Sequence, residues 1–213
     1  EGTYDITINA TDNSIASNEI ILPEVNALLL QDLTFPAIVS TSITPDPADP
    51  DADTIITVET TLSDLSGIAT AFFRIPAAAT GWLPLFDDGT NGDATPGDNV
   101  WSAQWNTAGR AENTYTVDIR ATDSSTANNG PTTNIADASF VIADATVPSI
   151  GITTATDGDP ENGDIITITA DVTDFSSVTS VYFRINGSNT AWRSMNDNGV
   201  SGDAIPGDDI WTG

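Results

Sequence analysis

The chain of 213 residues contains no cysteine and no histidine. Disulfides are therefore excluded, and core packing, with any hard metal ion, must hold the fold. Zinc, copper and haem sites lose their usual ligands, and Ser-His or Cys-His nucleophile pairs cannot be built. Lysine is missing as well: the five basic residues are Arg74, Arg110, Arg120, Arg184 and Arg193. That removes Schiff-base chemistry. No apolar run approaches the ~18–20 residues a membrane span needs, and the apolar stretch Ala27 to Leu30 reads as one short strand. A secretory signal with a basic front and an apolar middle is not visible, and the sequence opens in mid-pattern at Glu1.

Against those five arginines stand 31 acidic residues, for a formal charge of −26. Such a surface repels nucleic acid, whose affinity comes largely from Lys and Arg on phosphates, and it repels anionic membranes. It attracts cations and stays soluble in salt, where screening shortens the self-repulsion. Part of this acidity reads as a solubility coat. The metal chemistry still open to the chain is that of carboxylate and carbonyl oxygen, which is calcium chemistry.

An internal repeat organises the whole length. Asp87-Asp-Gly-Thr-Asn-Gly-Asp-Ala-Thr-Pro-Gly-Asp-Asn-Val-Trp101 returns 110 residues later as Asp197-Asn-Gly-Val-Ser-Gly-Asp-Ala-Ile-Pro-Gly-Asp-Asp-Ile-Trp211. Ser66–Ile75 matches Ser176–Ile185 at the same offset, and Trp82 matches Trp192. Thr3–Asp12 matches Thr114–Asp123, and the phrase Asp-x-Thr-Φ-Pro (Φ apolar) occurs at Asp32–Pro36 and at Asp144–Pro148. Residues 32–143 are thus one complete unit. Residues 1–31 are the last strands of a preceding unit, and 144–213 are the first strands of a following one. Two arrangements satisfy this phase. The sequence is a window on a longer periodic chain, or residues 1–31 of one copy complete residues 144–213 of another by strand donation.

The units read as all-β. Thr114–Ala121 alternates Tyr115, Val117, Ile119 and Ala121 inward against Thr116, Asp118 and Arg120 outward, the period of a half-buried strand. Thr3–Ala10 repeats it with Tyr4, Ile6, Ile8 and Ala10. In the complete unit strands are expected near 37–43, 54–62, 68–75, 82–86, 99–105, 113–121 and 136–142, joined by turn formers such as Pro45-Asp-Pro47 and Pro96-Gly97. Strands this short, in a unit of roughly 110 residues, predict tandem immunoglobulin-like two-sheet sandwiches.

The segment Asp87–Asp98 crowds Asp87, Asp88, Asp93 and Asp98 among glycines, and its second copy carries Asp197, Asn198, Asp203 and Asp208. Calcium takes about six to eight oxygens, aspartate reaches an ion from a tight turn, and glycine allows the positive φ angles such a turn needs. These eight residues are the candidate calcium ligands; the competing reading is a solvated turn whose Asp and Gly merely suit turn geometry. If the sandwich has immunoglobulin-like topology, the loops bearing Asp64, Asp87–Asp98 and Asp123 share the pole where the unit begins, near Asp32. The acidic loop 46–53 takes the opposite pole. Tandem units would then bring acidic poles together, and Asp32, Asp64, Asp123, Asp144 and Asp174 are candidates for an inter-repeat metal. The competing reading is simple repulsion that keeps the joint extended.

The D-D-G-x-x-G-D-x-x-x-G-D-x-Φ-W loop, preceded by an S-G-Φ-x-x-Φ-x-F strand, resembles the Ig-like repeats of large bacterial and archaeal extracellular proteins, including adhesin stalks and S-layer proteins. That resemblance implies a secreted or cell-surface setting. Such modules also decorate secreted enzymes, so two functions are in view: a calcium-stiffened structural repeat of a surface or filament protein, or an accessory, carbohydrate-binding module. The tryptophans are expected in core or inter-sheet packing rather than on a sugar platform. Asn9-Ala-Thr11 and Asn186-Gly-Ser188 are N-glycosylation sequons. Paired carboxylates can run a glycosidase, but here they recur with the unit, whereas an active site normally occurs once. The partners expected are neighbouring repeats or further copies of the chain, and no catalytic role is assigned.

Overall fold

A computed structural model describes every residue except 53, 128, 157, 160, 161 and 188–190; the side chains at 25 and 26 also lie outside the described set. The strands are β1 (Gly2–Thr11), β2 (Glu19–Leu30), β3 (Ala37–Thr44), β4 (Ile55–Ser63), β5 (Ile68–Arg74), β6 (Leu83–Leu85) and β7 (Val100–Asn106). They continue as β8 (Asn113–Asp123), β9 (Thr132–Ile142), β10 (Ser149–Ala155), β11 (Ile168–Thr173), β12 (Tyr182–Phe183), β13 (Arg193–Ser194) and β14 (Ile210–Thr212). One 3-10 turn, Pro76–Ala78, joins β5 to β6. Contacts divide the chain into two compact units, residues 1–48 with 53–142, and residues 49–52 with 143–213.

In the first unit, an antiparallel sheet β3-β4-β7 and a second sheet β6-β5-β8-β9 share one apolar core. This is an immunoglobulin-like β-sandwich, as the periodicity implies. The seven strands stand where alternation places them, because each carries an inward stripe. On β4 the buried residues are Ile56, Val58, Thr60 and Leu62. On β8 the buried apolar residues are Tyr115, Val117, Ile119 and Ala121. Phe140 from β9 stacks on Tyr115 at 5.6 Å between ring centroids and meets Trp105 from β7 edge-on at 6.3 Å. The aromatic contact therefore spans both sheets. Thr60 can be buried because its hydroxyl donates to the Ser40 carbonyl at 3.1 Å.

Asp118 departs from simple alternation. It lies on the outward register of β8 yet is buried, because the Arg74 Nε donates to it at 2.7 Å and the Ala136 N–H at 2.8 Å. The tryptophans divide. Trp105 is in the core and Trp101 packs against it, but Trp82 has an arginine at 4.8 Å (Arg74) and another at 5.2 Å (Arg120) from its ring. Trp192 is exposed beside Arg184. For these two the core expectation is wrong: each lies just before a short strand, outside the core clusters, and cation–π contact with arginine takes the place of burial.

A parallel bridge between Ala48 and Ile142 shows that β3 and β9 run the same way and end at the same pole. The antiparallel pairings then put the connections after β4, β6 and β8 at the pole where β3 begins. Asp64, the segment 87–98 and Asp123 share that pole.

Within the second unit, β10-β11-β14 repeats the plan of β3-β4-β7, and the pair β12-β13 repeats β5-β6. Its core is small: Ala170, Val172 and Met195, with Ile168, Val178, Val181, Phe183 and Trp211 against them. Residues 1–30 form a separate two-stranded sheet, β1-β2.

The core assignment carries a direct check. Phe73 is fully buried, whereas Leu65 is 88% exposed. Phe73→Ala should cost about 3–5 kcal/mol in urea unfolding, and Leu65→Ala should stay within about 0.5 kcal/mol. Equal losses at the two positions would mean that the core has been misplaced.

Candidate metal centres

Three groups of carboxylates converge among the described residues: Asp87 with Asp93 and Asp98, Asp197 with Asp203 and Asp208, and Asp49 with Asp51 and Asp144. In each, one oxygen per residue lies within 4.8 Å of the others. Ligands at about 2.3–2.6 Å on opposite sides of a calcium ion stand about 4.6–5.2 Å apart. The spacing therefore fits one shared hard cation, and the all-oxygen donor set suits calcium.

Local backbone chemistry builds the first group. Asp87, just after β6, accepts N–H bonds from Gly97 (2.8 Å), Asp98 (3.2 Å) and Asn99 (3.1 Å), which closes the loop onto its own start. Asp93 accepts from Gly89 (2.6 Å) and Thr95 (3.1 Å), and is 8% exposed. Asp98 accepts from Val100 at the head of β7. Gly92 lets the loop lie down on the β4-β7 face: at its φ of +97°, a Cβ would stand 2.6 Å from Thr57 Cγ2. No other residue tolerates both that angle and that approach.

The second copy repeats this almost bond for bond. Asp197 accepts from Gly207, Asp208 and Asp209, Asp203 from Gly199 and Ile205, and Asp208 from Ile210. Asp88 and Asn198 stand outside the converging triads. Asp88 caps its own turn by accepting from the Thr90 N–H and hydroxyl, and Asn198 accepts from Val200.

The third group lies within the second unit and joins the tip 49–52 to the segment after Ile142. Asp49 accepts from the Ala145 N–H at 3.1 Å, and the Thr146 hydroxyl donates to Asp51 at 3.1 Å and to Asp144 at 2.8 Å. Ser176 ties Asp144 to Asp174, its N–H donating to both. Asp49 and Asp51 share a hydrogen bond that raises the Asp51 carboxyl above its ordinary range and lowers that of Asp49. Hydrogen bonds from Ser176 and Thr146 hold Asp144 well below it. The opposite directions show that the two carboxyls interact directly with each other. The sequence marks the loop 46–53 as acidic but does not single out Asp49 and Asp51. Their Asp-Pro-Asp spacing is visible there; the partner across 95 residues is not.

Asp32, Asp64 and Asp123 gather at the first unit's starting pole without forming such a triad. The Ser66 hydroxyl bridges Asp32 (3.0 Å) and Asp64 (2.9 Å). The Asn129 amide binds Asp123 (2.9 Å) and the carbonyls of Asp32 and Thr34. One oxygen each of Asp64 and Asp123 is buried with no hydrogen-bond partner among the described residues. Of the sequons, Asn9 is exposed on β1 with its amide bonded to Glu19. Asn186 is exposed, and Ser188 lies outside the described residues.

A family model described as a bacterial Ig domain matches residues 148–203, less than half of the chain. No curated protein and no solved structure matches.

Asp32 supplies a test of the pole network. Hydrogen bonds, first from the Thr34 hydroxyl, lower its carboxyl from 3.8 to about 2 in the folded chain. A depressed carboxyl contributes stability in full above its unfolded value and loses it as pH falls through its folded value. The thermal midpoint should therefore drop between about pH 4 and pH 2, and Asp32→Asn should flatten that drop. An unchanged slope in the variant would remove Asp32 from the acid transition.

Proposed function

We propose that this chain is a structural repeat segment of an extracellular surface, S-layer or filament protein, and that its acidic loops take up calcium and stiffen each repeat. The observation that carries this reading is the recurrence of one carboxylate triad, Asp87/Asp93/Asp98 and Asp197/Asp203/Asp208, at the same place in both units. A catalytic site has no reason to recur with the period of the fold, whereas a stiffening device has every reason to. The match to a bacterial Ig domain supports a structural role outside the cell. Histidine, cysteine and lysine are absent, which argues against most catalytic chemistry.

In each loop Asp87, Asp93 and Asp98, or Asp197, Asp203 and Asp208, would hold the ion. Bound calcium supplies positive charge that offsets their mutual repulsion. The chain's own N–H groups already fix the carboxylates, so binding would cost little reordering. At Asp49, Asp51 and Asp144 the same chemistry would hold the tip 49–52 to the start of the following repeat. The buried oxygens of Asp64 and Asp123 that have no hydrogen-bond partner among the described residues are a further place where a cation would relieve an uncompensated acceptor.

The second reading, a carbohydrate-binding accessory module, has one observation in its favour: Tyr182 and Trp192 line an open apolar surface of the second unit. The equivalent Trp82 is covered by Arg74 and Arg120, so the platform does not recur. Binding of Trp192-dependent glycans on an array would favour this reading over the first.

Thermal unfolding with calcium, with magnesium and with EDTA tests the metal. At a thousandfold excess over its dissociation constant, calcium should add about 4 kcal/mol, an increase on the order of 10–20 °C for a unit of this size. Asp93→Asn should remove the part belonging to the first unit. Equal midpoints in calcium and EDTA would reduce the aspartates to turn formers and leave the structural reading resting on the repeat.

A further inference from the structure

The outward face of the sheet β6-β5-β8-β9 gathers charge of the scarce sign. Only five arginines stand against 31 acidic residues, yet two of them meet on one indole. Arg74 lies 4.8 Å and Arg120 5.2 Å from the Trp82 ring centroid. Arg120 lies in addition 5.4 Å from the ring of Phe72, its directly opposed neighbour on β5. All four residues belong to the first unit, where β5 is paired on both sides, by β6 and by β8.

The two arginines differ in what they face. The Arg74 Nε donates to buried Asp118 at 2.7 Å, which neutralises it. Arg120 makes no ion pair and no hydrogen bond among the described residues. Its Nε is buried without an acceptor, while its terminal nitrogens are open to solvent. A guanidinium presents five N–H donors in a fixed plane and keeps its charge at any pH a protein survives. Here two rings hold that plane, so little side-chain freedom is left to lose on binding. Burial of the Nε means that part of the desolvation an anion requires has already taken place. Nor does the fold need arginine at this position, since the repeat equivalent of Arg120 on β1 is Asn9.

We infer that Arg120 anchors a binding site for a carboxylate-bearing sugar, a uronic acid within an otherwise neutral glycan. The planar fork of a guanidinium matches a carboxylate with two parallel hydrogen bonds. The rings at the centre of this face are already covered by arginine, which leaves little of the apolar centre a protein partner needs. A densely charged polyanion meets the repulsion of a chain at −26, whereas a lone carboxylate on a neutral glycan meets one cation at contact. Hydroxyls for the sugar stand beside it: Thr133 is directly opposite Arg120 on β9, and Thr122 follows Arg120 on the same face of β8. The indole of Trp82 is not free for stacking, so recognition runs through charge and differs from the open ring surface at Tyr182 and Trp192. This goes beyond the structural role proposed above and does not depend on calcium, so work in EDTA separates the failure of one from the failure of the other.

The test uses the whole 213-residue chain in EDTA, which removes calcium bridging between carboxylates. The probe is a tetrasaccharide carrying one glucuronic acid, and its methyl ester is the uncharged control. With five arginines and no lysine, the arginine Nε–H region of an NMR spectrum is sparse enough to follow each side chain. The acid should shift the Arg120 signal, and the ester should bind at least about tenfold more weakly. Arg120→Gln should lose at least about tenfold in affinity, and Arg120→Lys, which keeps the charge without the planar fork, nearly as much. Thr133→Asp leaves Arg120 in place and sets a carboxylate directly opposite it, so it should block the acid probe without lowering the thermal midpoint. Arg110→Gln, on the separate Trp105 ring, should bind as the unaltered chain does. No shift at Arg120, equal affinity for acid and ester, or unchanged binding in Arg120→Gln or in Thr133→Asp would each overturn the inference. So would an aspartate-rich peptide that binds Arg120 at least as tightly as the sugar acid, because the occupant would then be an acidic protein.

Discussion

The first sandwich depends on one packing event, the closure of its second sheet by the hairpin β8-β9. That hairpin brings Tyr115, Val117, Ile119, Phe140 and Ile142 into the core. Fully burying an aliphatic or aromatic side chain is worth roughly 1.5–3 kcal/mol relative to leaving it exposed. Five such residues outweigh any ion pair among the described residues. The Arg74–Asp118 bridge is partly open to water on its arginine side, where ion pairs contribute about 0–1 kcal/mol. Without disulfides to restrain the unfolded chain, the closing hairpin is the interaction on which the rest of the unit stands.

Acidity constrains the molecule in a different way. With 31 acidic residues against five arginines, repulsion would splay any loop whose aspartates were left to water alone. The loops here answer that first with backbone N–H donors: Asp87 takes three, and its equivalent Asp197 takes the same three. The carboxylates are thus fixed by donors on one side while their remaining lone pairs face one another. A turn built for solvation alone would have no reason to bring three carboxylates within one ion's reach twice over. This geometry is why calcium is the reading to test first.

Much of the fold is legible in the sequence because it rests on period-two patterning, which survives in a single chain. Strand β8 is readable from Tyr115-x-Val-x-Ile-x-Ala121, and the triads from Asp-Gly spacing that recurs at a fixed offset. Three things are not legible. Asp118 reads as an outward residue, and only the meeting of Arg74 on β5 with the β9 irregularity at Ala136 explains its burial. Trp82 and Trp192 read as core because they recur with the repeat, but each lies just before a short strand and meets arginine instead of the core. Asp49 and Asp51 need the fold to find Asp144, since a carboxylate cluster assembled from distant segments leaves no local spacing to read.

Repetition links these observations. Asp144 is the repeat equivalent of Asp32, and both are fixed by a threonine two residues on and by a serine after the fourth strand's counterpart, Ser176 or Ser66. Asp144 meets in addition the tip bearing Asp49 and Asp51.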